Sequence, residues 1–227
     1  MNADAILRPD LAADPRLAAG FTTRKFAAAD EPLDAVRARL AQHERFEAVA
    51  SVGQVHGTGV AVVRTGGHVP AHDGLVTDVP GLLLTVLAAD CALVLLADAD
   101  AGVVGACHSG WRGTVAKITG ETVRAMADLG ADPARVRAYV GPCISAEAFE
   151  VGEEVAAQFP DASVGRRPEW PRPHVDLRAD LARQLAEAGV EQVELSDACT
   201  ASDVDRFYSY RAEEGTRGRM LGFVGVR

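Results

Sequence analysis

No Cys-x-x-Cys pair occurs in this chain, and its four cysteines, Cys91, Cys107, Cys143 and Cys199, do not form the dense pattern of a disulfide scaffold at this size. In a reducing compartment each is a small core side chain or a reactive thiolate. Basic charge is scarce as well: 23 Lys and Arg stand against 32 Asp and Glu, a formal net charge of -9. That balance excludes a sequence-independent nucleic-acid binder, which needs a basic excess to release counterions from phosphate, but it leaves room for a local basic site for a small anion. The longest apolar run, 81–97, is interrupted by Asp90 and is too short to span a bilayer, so no membrane partner is expected. Residues 1–5 lack the basic and then apolar order of a signal peptide, and the expected location is the cytoplasm. Linkers rich in Pro, Ser and Gly, internal repeats and low-complexity tracts are missing too, apart from an alanine-rich start.

What is present suits a soluble globular protein: 227 residues, 48% hydrophobic and 24% charged, enough to bury a large core. One domain over 1–227 is expected. Segments 82–87 and 92–96 are continuous apolar runs, the pattern of strands covered on both faces, with Asp90-Cys91 at their junction. A turn at 98–102 then returns the chain along 103–107, a hairpin that brings Cys91 and His108 to one end of a sheet. Helices are expected at 33–40, 114–129, 146–159 and 177–188, the last with Asp176 as N-cap. Strands are expected at 135–140, 190–195, 207–210 and 220–226, with 207–210 and 220–226 closing a hairpin around Glu213-Glu214-Gly215. Strand pairs with irregularly interposed helices favour an α+β architecture over regular βαβ winding.

The chemistry concentrates in Gln54-Val55-His56-Gly57, Ala89-Asp90-Cys91 and Cys107-His108-Ser109-Gly110-Trp111-Arg112-Gly113. Two imidazoles and a thiol without an obvious fourth ligand describe a catalytic zinc site better than a closed structural one. Taken singly, Cys91 also reads as a packed core thiol and His56 as a loop histidine. Strand side chains alternate, so Cys107 and His108 point to opposite faces; His108 is the ligand candidate and Cys107 the core residue. The Arg112 turn, feeding a helix start, offers amides and a guanidinium to a phosphate or carboxylate, or it merely packs and pairs at a helix end. Asp90 reads as a partner of the site, as a general base, or as a turn cap. His68 and His72 read as solvent-facing loop residues.

These segments, with Asp73-Gly74-Leu75-Val76-Thr77-Asp78, Gly141-Pro142-Cys143-Ile144, Phe149-Glu150-Val151 and Phe207-Tyr208-Ser209-Tyr210-Arg211, resemble in their order the laccase-domain family. That family is also called the multicopper polyphenol oxidoreductase, purine nucleoside phosphorylase or peptidoglycan editing factor family. The resemblance runs from Phe21 onward. It implies a single domain of four layers, α/β/β/α, with mixed sheets, and a zinc held by His56, Cys91 and His108. It further implies phosphorolysis of adenosine, inosine and methylthioadenosine, adenosine deamination, or removal of misincorporated amino acids from peptidoglycan precursors. After Arg24 the family's Gly-Gly-x-Ser loop is replaced by Lys25 to Pro32, which would alter specificity if that loop closes over substrate.

Copper is the weaker metal. Six histidines, with His43 in a polar helix-like segment and His174 in a proline-rich stretch, are too few for a type 1 and a trinuclear centre together. The leading expectation is a zinc enzyme whose partners are a nucleoside and phosphate, with Asp90 and Arg112 as catalytic candidates and Gln54, Arg112 and Arg211 as substrate-binding candidates. An amidohydrolase using the zinc, or Cys91 as nucleophile and His108 as base, is the second reading. A catalytically weak interaction protein, suggested by the altered loop, is the third.

Overall fold

The two longest apolar runs are consecutive in sequence but lie in different sheets. The computed structural model describes residues 3–227. Its first sheet has the order Ile6–Leu7 (β1), Leu17–Thr22 (β2), Met220–Val226 (β14), Leu82–Ala88 (β7), Ala48–Gly53 (β3) and Gly67–Pro70 (β5). The second runs Gln192–Leu195 (β13), Arg137–Val140 (β10), Ala92–Asp98 (β8), Val103–Ser109 (β9), Gly74–Thr77 (β6) and Val60–Val62 (β4). Val164–Gly165 (β11) and His174–Val175 (β12) form a small separate ribbon. Both large sheets mix parallel and antiparallel pairs, for example β3 with β7 and β7 with β14. The helices are Leu33–Glu44 (α1), Trp111–Val115 (α2), Ile118–Asp128 (α3), Glu153–Ala156 (α4) and Leu177–Glu187 (α5). None is long and apolar enough to cross a membrane.

Alternation along each strand creates the layers. Leu84 and Val86 of β7 meet Leu93 and Leu95 of β8 in a core between the sheets. Leu83 of β7 and Phe223 of β14 turn outward onto Val36 and Leu40 of α1, while Val94 and Leu96 of β8 turn the other way onto Ile118, Val123, Leu181 and Leu185 of α3 and α5. The architecture is therefore α/β/β/α, and β7 and β8 are apolar throughout because both of their faces are covered. Gly222 lets the sheets approach: a Cβ there would lie 3.2 Å from Leu93 Cδ1.

Three expected elements differ. Segment 114–129 is two helices, broken where Lys117 adopts φ 64°, because Val115 packs beside Ile144 whereas Ile118, Val123 and Met126 face β8 and β9. In 146–159 only α4 is helical. The stretch before it bonds instead to the 173–175 strand, Val151 N–H to Pro173 O and Val175 N–H to Phe149 O. Segment 207–210 is not a strand: both edges of β14 are taken, by β2 and β7, so the proposed hairpin has no edge to use. The other expected strands and α5 form, and Asp176 accepts the Ala179 N–H at 3.0 Å as its N-cap.

Candidate metal centre

The β8–β9 hairpin pairs Leu93 with His108, which sets Cys91 and His108 at one sheet end as expected. His56 comes from the other sheet, on the loop that follows β3, with a φ of 61°. One ligand atom from each of His56, Cys91 and His108 lies within 4.8 Å of the others, and the two imidazoles are nearly perpendicular with centroids 4.8 Å apart. Gly110 makes this approach possible, since a Cβ there would stand 2.8 Å from Cys91 Sγ and 3.1 Å from His56 Cδ2. Cys107 is buried on the α3 side, away from the site.

Asp73, fully buried, organises the group. Its Oδ1 accepts the His56 N–H at 3.0 Å and faces His108 Nδ1 at 2.9 Å; its Oδ2 accepts the N–H groups of Val55 and Gly57 at 3.1 and 2.7 Å. The bond network assigns a proton to His108 Nδ1 and leaves Nε2 for a metal, the usual carboxylate support of a ligand imidazole. Burial pushes the Asp73 carboxyl up, but His108 and the loop N–H groups together hold it below its ordinary value. Burial, then His108, lowers the pKa of His56, which keeps it neutral and able to ligate. Burial, with Asp90 second, pushes the Cys91 thiol up to about 12. A thiolate in that position calls for a cation, and two imidazoles with one thiolate suit zinc and tolerate copper.

The three donors open onto a cavity of about 590 Å³ lined by Trp111, Phe149 and Tyr210, by Leu87, Ile144 and Leu177, and by Asp90, Arg211 and Arg219. Its size is that of a small-molecule site. Three of the expected site residues, Gln54, Asp90 and Arg211, line the cavity, and each also bonds to its walls. Both Asp90 oxygens are occupied, by Thr200 Oγ1 at 2.6 Å and the Arg211 N–H at 2.7 Å, so Asp90 ties the cavity walls together at a φ of 83°. The Gln54 amide grips the N–H and C=O of Leu87 at 2.9 and 2.7 Å. Arg211 donates to the carbonyls of Ala148 and Glu150. Arg112 lies over the Trp111 ring, 4.2 Å from its centroid, and is not among the residues lining the cavity; α2 spans only five residues.

The altered segment after Arg24 supports the site from behind. Ala27 O accepts the Tyr208 hydroxyl at 2.7 Å, and Arg24 stacks on Tyr208 and pairs with Glu213 at 2.9 Å. It does not line the cavity. Asp73, which bonds the His56 loop and His108, and Arg219, which lines the cavity, are the site positions that the sequence left without a role: Asp73 is one carboxylate among many, and Arg219 is one arginine before an apolar strand.

A family model described as multi-copper polyphenol oxidoreductase laccase matches residues 23–227. The chain belongs to that family. Within it, the chain is 45% identical over 202 residues to the "Purine nucleoside phosphorylase" of Deinococcus radiodurans, covering 86% of this chain and 78% of that one. It is 37% identical over 162 residues to "Adenosine deaminase RL5" from an unknown prokaryotic organism, covering 68% and 61%. The crystal structure of YlmD from Geobacillus stearothermophilus superposes with a TM-score of 0.87 at 30% identity, covering 100% of this chain and 98% of that one. Among the described residues His56 and His108 converge with Cys91, whereas His43 is on α1, His68 bonds Ser51, His72 faces Pro70 O and His174 faces Ala146 O.

Proposed function

We propose that this chain is a zinc-dependent purine nucleoside enzyme, performing phosphorolysis of adenosine, inosine and methylthioadenosine and deamination of adenosine. The observation that carries the reading is the His56, Cys91 and His108 donor set opening onto an aromatic-walled cavity of about 590 Å³. The names of the relatives, purine nucleoside phosphorylase and adenosine deaminase, support the same substrate class. Zinc, when bound by these three residues, supplies a Lewis acid that brings the pKa of a water toward neutrality.

The protein's own groups do the rest. Trp111, Phe149 and Tyr210 give the cavity aromatic walls suited to a purine, and Leu87, Ile144 and Leu177 exclude water. Asp73 holds the His108 proton at Nδ1. Gln54, Asp90 and Arg211 act as positioning residues: each fixes backbone of the cavity wall, so their loss acts through geometry. The ligand count favours zinc over a multi-copper assembly, and a cytoplasmic location accords with the free cysteines.

The test combines metal quantification on the purified protein with product identification on adenosine, inosine and methylthioadenosine, with and without phosphate. Stoichiometric zinc, a pentose 1-phosphate formed only when phosphate is present, and inosine from adenosine are expected. A zinc-loaded protein that leaves every nucleoside untouched overturns the reading, and turnover of a muramoyl-amino-acid nucleotide in its place would establish the amidohydrolase.

A further inference from the structure

The cavity is cationic in a molecule of net charge -9. Its charged lining residues are Asp90, Arg211 and Arg219. Each Asp90 carboxylate oxygen accepts one hydrogen bond, from Thr200 Oγ1 and from the Arg211 N–H, and the Arg211 guanidinium is spread across two backbone carbonyls at 3.1 and 3.0 Å. Arg219 differs. Only its Nη1 is engaged, by Thr216 O and Gly218 O at 2.8 and 2.7 Å, and no carboxylate pairs with it among the described residues. Nε and Nη2, two nitrogens of the planar fork, have no protein acceptor among the described residues.

The sheet register explains why this arginine is here. Met220 pairs with Ala88 across the β14–β7 ladder, so Arg219 stands opposite Ala89, beside Asp90-Cys91. Arg219, the residue immediately before β14, is thereby placed in the same cavity lining as Cys91 and His108, and its Nη1 contacts orient the guanidinium while leaving the fork open. An open guanidinium in a partly enclosed site matches the geometry of a phosphate dianion.

We propose that Arg219 is the phosphate-binding residue of this cavity, seating the co-substrate of phosphorolysis, a role that the sequence pattern suggested for Arg112. The assignment rests on the phosphorolysis reading above. A phosphate oxygen forms a bond to C1′ of the pentose as the C1′–N9 bond breaks. The bonding pair leaves with N9, and the proton of hydrogen phosphate passes to the departing base, so no other reactant is consumed. Orthophosphate and a nucleoside 5′-monophosphate present the same group to a guanidinium, and the experiment separates them.

Calorimetric titration of the zinc-loaded protein with orthophosphate, and separately with adenosine 5′-monophosphate, is run on wild type, Arg219→Gln and Arg219→Lys, alongside KM values for phosphate and for nucleoside. Expected are orthophosphate binding weakened at least about tenfold in Arg219→Gln with partial recovery in Arg219→Lys, a matching rise in the phosphate KM, and a nucleoside KM within about threefold. Orthophosphate should also protect Arg219, and not Arg112, from phenylglyoxal in the unaltered protein, a measurement that does not depend on how the variants fold. Phosphate binding or phosphate KM unchanged in Arg219→Gln overturns the assignment, as do equal rises in both KM values or modification of Arg219 unaffected by phosphate. Binding confined to the monophosphate overturns it in favour of a nucleotide site. Arg219-dependent orthophosphate binding without any phosphate-dependent product would leave the anion site standing and defeat the phosphorolysis reading; phosphate-dependent product with normal kinetics in Arg219→Gln would do the reverse.

Discussion

Asp73 shows how a single carboxylate can hold a candidate metal-ligand set together without belonging to it. Two acceptor oxygens serve four N–H groups: Oδ1 takes those of His108 and His56, and Oδ2 those of Val55 and Gly57. An amide has one acceptor oxygen. In Asp73→Asn, one of the two pairs must therefore face an NH2 group, whichever way the amide turns. Either the His56 loop loses its anchor or the His108 proton is driven toward Nε2, the nitrogen a metal needs. Zinc affinity is expected to fall about 10- to 100-fold in chelator competition. The urea midpoint should report a loss of about 1–3 kcal/mol from the unsatisfied buried donors. Unaltered chelator competition would remove Asp73 from the metal site. The three donors were legible in the sequence because imidazole and thiol are recognisable by type, whereas Asp73 is one carboxylate among many and only its surroundings mark it out.

At the scale of elements, periodicity read correctly wherever one face of a segment meets one core. α5 is such a case: Leu181 and Leu185 face the sheet, and Asp176 caps the start. Its Gln184 also donates to Thr114 O at 2.8 Å and accepts from Thr119 Oγ1 at 2.9 Å, joining α5 to α2 and α3. Leu177, one residue after the cap, lines the cavity. Asp176→Ala is expected to cost about 1 kcal/mol, read from urea unfolding of the zinc-loaded protein. A change below a few tenths would mean that packing alone sets the start of α5. The misread elements share one cause. Val115 belongs to a different cluster from Ile118, the carbonyls of Ala148 and Glu150 serve Arg211, and β14 has no free edge for 207–210. In each case the competing partner is distant in the chain, where a local pattern does not reach.

Across the whole molecule, Asp98 is the buried ionic joint between the β8–β9 turn and the approach to β10. It accepts the N–H groups of Ala101 and Asp132 at 3.1 and 2.9 Å and pairs with Arg135 at 3.0 Å. Burial raises its pKa, but the Asp132 N–H, Arg135 and the Ala101 N–H outweigh burial and hold the carboxyl below its ordinary value. A carboxyl depressed by folding stabilises the native state fully above the unfolded value, and the contribution fades as pH falls through the folded one. Asp98→Asn should therefore cost about 1–3 kcal/mol near neutrality, and its gap from wild type should narrow steadily in acid. Urea midpoints over a pH series check this. A gap that stays constant into strong acid would mean that the substitution acts through packing and not through charge.

By itself the sequence determined the α+β class, the family, the β8–β9 hairpin and the identity of the three metal-ligand candidates, because apolar alternation and donor chemistry are local properties of residues. It determined an acidic molecule as well, and in doing so concealed a cationic cavity. Only the tertiary structure decided that β7 and β8 belong to facing sheets, that His56 crosses from one sheet to ligands on the other, and that Asp73 holds the loop and imidazole together. It also decided which arginines line the cavity, Arg211 and Arg219. Arg112, inside the most distinctive motif, lies on Trp111, whereas Arg219, in no motif, is carried to the site by the register of β14 against β7. Function at this site depends on groups converging from both sheets, and convergence is a property of packing that no single segment contains.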